Sequence, residues 1–264
     1  MTGPEIQATP DSSWQNSWRE FPWWLVAIFV FLALMGILII RNPAYNDAFK
    51  FIFPGIQVTL YTTITAFAIA LVLGLLAGLG RISRNTAVRN IAITYIEFIR
   101  GVPTLVLIFT VAFVLVPPIS GALGVDNRVV SPNTRAIIAL AVIYGAFLAE
   151  IFRAGIESIS KGQMEAARSL GMTYTQSMRY IILPQAIRNI SPALGNDFIA
   201  MLKDSSLVSV LAVRDITQLA RLHAGSTFRF RESYLVLTFL YLAMTIILSL
   251  LLRWYEQRIG KDRG

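Results

Sequence analysis

Asp197 and Asp204 stand seven residues apart in an otherwise largely apolar stretch. On a helix that is about two turns, so both carboxylates project from one face, while Lys203 points about 100° away from Asp204. A charged side chain inside a span costs roughly 2.5–3.5 kcal/mol on insertion scales, so each one needs a reason. Two carboxylates along one face suit a cavity that receives an ammonium group; an internal salt bridge or a gate is the other reading. Arg100 could take a carboxylate with two parallel hydrogen bonds, or pair with Glu97 three residues earlier. Glu150 and Arg153 have the same spacing near the end of an apolar block and read as a structural pair. With no cysteine and one histidine, thiol catalysis, disulfides and cysteine or histidine metal centres are disfavoured. No nucleophile and base constellation is visible, so no catalytic residue and no metal site is assigned.

The elements that must hold these residues are membrane spans. The chain has 264 residues, 55% hydrophobic and 14% charged, with apolar blocks near the roughly 18–20 residues that cross a bilayer. An all-α polytopic membrane protein follows, since a barrel would show alternating segments of about ten residues. Residues 1–22, with Trp14 and Trp18, read as a polar or interfacial tail. Residues 23–40 form a first span that lacks a basic start and a cleavage site, and so is retained. Further spans are expected over 55–80, 91–119 with a break near Gly101 to Pro103, 135–156, 187–213 and 234–252.

The formal charge of +8 sits mostly in the short connections, where basic residues of membrane proteins collect, so nucleic acid is not a partner. Placing residues 81–90 on the cytoplasmic side assigns twelve Lys and Arg there: Arg19, Arg81, Arg84, Arg89, Lys161, Arg168, Arg179, Arg188, Arg253, Arg258, Lys261 and Arg263. Eight face outward: Arg41, Lys50, Arg128, Arg135, Arg214, Arg221, Arg229 and Arg231. The stretch from Arg214 to Arg231 opposes the rule.

Between the fourth and fifth spans the chain spends 28 residues, Glu157 to Pro184, where a handful would connect two helices. Ala166, Ala167 and Gly171 are small enough to let another protein's surface approach closely, and Glu165, near the start of the helix, suits its dipole. This describes a docking helix. Its pattern is Glu165, Ala166, Ala167, three residues, Gly171, nine residues, then Ile181, Ile182, Leu183 and Pro184. That pattern resembles, at every fixed position, the EAA motif of permease subunits in bacterial ABC importers. Residues 97–105 (EFIRGVPTL), 144–171 and 196–207 (NDFIAMLKDSSL) are similar to the polar amino acid subfamily of histidine, glutamine, glutamate and arginine permeases. The likeness covers residues 55–255.

The resemblance implies a type I ABC importer transmembrane fold with a five-helix core plus the extra N-terminal span, in a bacterial inner membrane. It implies Glu165, Ala166, Ala167 and Gly171 as contacts to a dimer of cytoplasmic ATP-binding subunits. It further implies a second permease subunit, identical or homologous, and an extracytoplasmic amino acid-binding protein. Substrate contact falls on Asp197, Asp204 and Arg100, the last also open to a role against the second permease subunit. The chain has no phosphate-binding loop, Gly260 with Lys261 being the nearest approach and position 255 being Tyr, so ATP and magnesium belong to the partner ATPase. Relatives carry a hydroxyl and an amide where this chain has Val102 and Leu107, which leaves open whether the sister subunit holds the substrate instead. A secondary transporter or channel with proton or cation sites at Asp197 and Asp204 is the alternative.

Overall fold

The computed structural model describes residues 23–126 and 130–261, with side chains to residue 258. The tail 1–22 with Trp14, Trp18 and Arg19, and the cations Arg128 and Arg263, lie outside the described residues. Among the described residues the ordered elements are all helical. In chain order they are α1 (Trp23–Arg41), α2 (Pro43–Ile52), α3 (Gly55–Arg81), α4 (Thr86–Gly101), α5 (Thr104–Phe109), α6 (Val116–Ala122) and α7 (Pro132–Glu157). Then come α8 (Lys161–Ser169), α9 (Tyr174–Ser177), α10 (Leu183–Asp204), α11 (Ile216–Thr227) and α12 (Phe230–Lys261). Wide π turns join α5 to α6 over Thr110–Leu115 and α9 to α10 over Met178–Ile182.

The centre of the bundle is the α3–α7 pair. α3 buries a stripe of small residues at helical spacing, Thr59, Thr62, Thr63, Ala66, Ala70, Gly74 and Gly78. Lipid offers no hydrophobic drive between helices, so close backbone approach across small residues supplies the attraction. A Cβ at Gly74 would lie 2.7 Å from Leu148 Cβ, and one at Gly78 would lie 2.9 Å from the Ala149 carbonyl. The hydroxyls in the stripe are satisfied within the protein: Thr59 donates to Gly55 O at 3.1 Å and Thr63 to Thr59 O at 2.8 Å.

The expected third span is two helices. Asn85 caps α4 by accepting from the N–H groups of Ala87 and Val88, which starts the helix five residues earlier than the apolar run suggests. The break falls where expected: Val102 is extended (φ −116, ψ 139), as a residue before proline prefers, and Pro103 restarts the chain into α5. The fifth span runs over Leu183–Asp204, with a 3-10 segment Ser205–Leu211 in place of its expected last turns. It is too polar to count among the five helices that, among the described residues, are long and apolar enough to cross a membrane, yet it packs against α7 and α12 inside the bundle. α1 touches the bundle through Met35 and Ile39, against α2 and α12, and exposes most of its other apolar residues.

The stretch from Arg214 to Arg231 is no loop but α11, packed with α2 and α12 at the end opposite α8. Asp215 caps it by accepting from Gln218 N–H at 2.8 Å, and the N–H of Ile216 reaches Thr59 Oγ1 at the start of α3. Two cations just after it have partners there, Arg229 with Asp47 at 3.4 Å and Arg231 with Glu232 at 3.2 Å.

Candidate functional site

Two groups of residues carry the functional argument: the polar segment after α7 and the charged face of α10. α7 closes with Ser158 donating to Gly155 O at 2.7 Å, and α8 begins three residues later at Lys161. Glu165 therefore sits in the second turn of α8, not the first, and its expected interaction with the N-terminal dipole is lost with that position. Glu165 and Ala166 are exposed, whereas Ala167 is 4% exposed and turned toward the bundle. The expected contact face thus loses Ala167.

Gly171 has a conformational reason. Its N–H donates to Arg168 O at 3.0 Å and that of Met172 donates to Ala167 O at 3.2 Å, the paired bonds that end a helix through a left-handed residue. Gly171 has φ +84, and a Cβ there would meet nothing within 4 Å. Leu170, beside it, is 84% exposed. Thr173 and Gln176 then cap α9 reciprocally, and Pro184 occupies the first turn of α10.

On α10 the seven-residue spacing does put Asp197 and Asp204 on one face, and that face turns toward α7. Tyr144 of α7 donates its hydroxyl to Asp204 Oδ2 at 2.9 Å, and Asp197 is close enough for its charge to act on the same hydroxyl. Both carboxylates are half-buried. Lys203 is exposed on another face and lines a cleft with Ser206, Thr217, Thr238, Tyr241 and Thr245. Arg100 is exposed at the end of α4 and forms no ion pair with Asp197, Asp204 or Glu97.

 The volume of that cleft is about 490 Å³, and Tyr241 and Thr217 share a hydrogen bond of 2.9 Å at its wall.

A chain of charges links α3, α4 and α7 near the end of the bundle that leads into α8. Arg81, the last residue of α3, bridges Glu97 of α4 at 3.3 Å and Glu150 of α7. Arg153 holds the other Glu150 oxygen at 3.0 Å and also binds Glu157, the last residue of α7. The Glu150–Arg153 pair is as expected, but Glu97 turns to Arg81 rather than Arg100. The reason is geometric: the end of α3 packs against the middle of α4, with Gly80 nearest Ala92 and Val88, so the Arg81 side chain reaches Glu97.

At the α2–α11 end of the bundle, burial pushes the Asp215 carboxyl up to about 6, against the pull of its capping bonds. Its Oδ2 and the Oε1 of Gln218 are buried without hydrogen-bond partners. The single histidine, His223, is also buried. Ser233 donates to Arg229 O, so His223 Nδ1 carries the proton in the 2.7 Å bond to Ser233 Oγ, and burial holds its pKa below the usual value.

Sequence reasoning missed Tyr144, Leu170 and Arg81. Tyr144 looked like one more aromatic in an apolar span, and Arg81 like one more cation in a connection. Leu170 did carry a signal, as a large apolar residue in a mostly polar segment directly before the helix-ending glycine.

The chain matches the family described as binding-protein-dependent transport system inner membrane component over residues 70–261. It is 37% identical over 215 residues to the probable amino-acid permease protein YxeN of Bacillus subtilis (strain 168), covering 81% of this chain and 94% of that one. It is 35% identical over 212 residues to the glutamine transport system permease protein GlnP of Escherichia coli (strain K12), covering 80% and 94%. A crystal structure of an amino acid ABC transporter with histidines superposes with a TM-score of 0.69 at 40% identity, over 79% of this chain and 94% of that one. An inward-facing MetNI methionine ABC transporter shares the fold, with a TM-score of 0.62 at 18% identity over 80% and 94%.

Proposed function

The chain belongs to the family of inner membrane components of binding-protein-dependent transport systems, and from that premise we propose how it imports amino acids. It is a permease subunit of an ATP-driven amino acid importer, a membrane component that is not itself catalytic. The family membership does not favour the ion-driven transporter or channel. Such a permease works with an ATPase and a binding protein. In the finer reading, two ATP-binding subunits holding ATP and magnesium grip α8, a second permease subunit completes the path, and the binding protein delivers an amino acid at the α2–α11 end.

The observation that carries the reading is α8 itself: a discrete helix, closed by the bonds around Gly171, that leaves Glu165, Ala166 and the following Leu170 exposed. Asp197 is the substrate contact, because it is half-buried in a span with no ion pair, whereas Asp204 is held by Tyr144 and serves to fix α10 on α7. Arg100, exposed beside the Val102 break, takes the substrate carboxylate or the second subunit. Uptake by proteoliposomes tests the whole: glutamine and other polar amino acids should accumulate only with the ATPase subunits, the binding protein and internal ATP. Accumulation driven by an ion gradient without the ATPase would refute it.

A further inference from the structure

Both flanks of α8 are tied to one corner of the bundle. Ahead of α8, Glu157 is linked through Arg153 and Glu150 to Arg81, the last residue of α3. Behind it, the ring of Tyr174, first residue of α9, lies under the guanidinium of Arg84 at 5.6 Å. Arg84 follows Arg81 by three residues, on the turn that joins α3 to α4. Beneath α8 itself the bundle is less closely packed: a cleft of about 520 Å³ opens between Met164 and Lys161 on one side and Ile82, Ile156 and Ile182 on the other.

We propose that the α3–α4 corner is where movement of α8 enters the membrane bundle, with Arg81 and Arg84 as positioning residues for transport. The proposal rests on the reading of this chain as an ATP-coupled permease. A displacement of α8 pulls on Glu157 before it and Tyr174 after it, and both pulls arrive at the same short turn. Glu150 offers one oxygen to Arg81 and the other to Arg153, and its side chain is 19% exposed, so water screens this junction less than it screens a surface pair. Arg81 also holds Glu97, so α4 follows α3. The extended backbone at Val102 gives α4 a joint at its far end, where it can turn against α5.

The test uses the complete importer in proteoliposomes, with ATP hydrolysed per amino acid imported as the readout. Arg84→Ala, at an exposed turn, and Arg81→Ala should each raise that ratio, and the double variant by about 5-fold or more, the lower range of a coupling energy between sites. The ATPase subunits should still co-purify in wild-type amounts. Arg81→Lys should retain most of the coupling, and exchanging charges with Arg81→Glu and Glu150→Arg together should recover part of what either loses alone. A wild-type ratio in the double variant overturns the proposal, as does a loss that only follows loss of assembled complex. Uptake by the wild-type chain without its ATPase overturns the functional reading instead, and the proposal with it.

Discussion

Gly171 separates two explanations for a small residue at the end of α8, and a three-residue substitution series tells them apart. If the glycine is there to end the helix, substitutions are ranked by the cost of φ +84 and not by size. The left-handed conformation costs about 1–2 kcal/mol for an ordinary L-residue and less for asparagine, whose side chain tolerates it. A Cβ here meets nothing within 4 Å, so the permease itself adds no steric cost. Gly171→Asn should therefore be nearly neutral and Gly171→Ala should cost about 1 kcal/mol. Gly171→Val, β-branched and bulkier, should cost about 2 kcal/mol or more. At these energies the ordered end of α8 loses roughly 5- to 30-fold in population relative to frayed forms. Loss of the Gly171 and Met172 N–H bonds to Arg168 O and Ala167 O would then move the exposed Leu170. The assay is the concentration of ATPase subunits that half-saturates transport in proteoliposomes, with permease content held constant. It should rise in the order glycine, asparagine, alanine, valine. If alanine is tolerated while asparagine and valine fail alike, the glycine is needed for close approach of the partner, and the conformational reasoning is wrong.

Three further outcomes follow from the geometry. Asp197→Asn should raise the amino acid concentration needed for half-maximal uptake about tenfold or more while the complex assembles normally, about 1.4 kcal/mol per tenfold; an unaltered uptake curve would assign the contact to the sister subunit. Tyr144→Phe removes the hydroxyl that Asp204 accepts from, and should lower stability in detergent by about 1–2 kcal/mol; an unchanged unfolding midpoint would show that Asp204 finds another donor. Asp215, with its folded pKa raised from 3.8 to about 6, binds a proton more tightly in the folded state, so its contribution to stability falls as pH rises from about 4 to about 6. Above that window the cost of the buried charge is about 3 kcal/mol, and Asp215→Asn keeps a capping oxygen while removing it. The gap in unfolding midpoint between this variant and the wild type should widen over that window and then level off, and a gap independent of pH would contradict the assignment.

What could be read from the sequence was whatever depends on local pattern. Apolar block length sets the spans, because each must cross the same hydrocarbon thickness. The proline at 103 marks its own break, because the residue before it cannot stay helical without strain. The spacing of Glu165 through Pro184 marked the segment between α7 and α10 and, through it, the family. The seven-residue interval between Asp197 and Asp204 put both on one face of α10.

Which way that face points was decided only by tertiary packing. Helical period places two carboxylates together but says nothing of rotation about the helix axis, and it is the contact with α7 that gives Asp204 its tyrosine. The same limit applies at Ala167, which the motif groups with Glu165 and Ala166 although α8 docks with that alanine inward. It applies again at Glu97, where an i,i+3 cation was available in sequence and a cation 16 residues away took the contact. Partners within one helix can be counted from the chain. Partners between helices depend on how the helices are rotated and tilted, and in this bundle the small residues that let α3 lie against α7 settle that geometry.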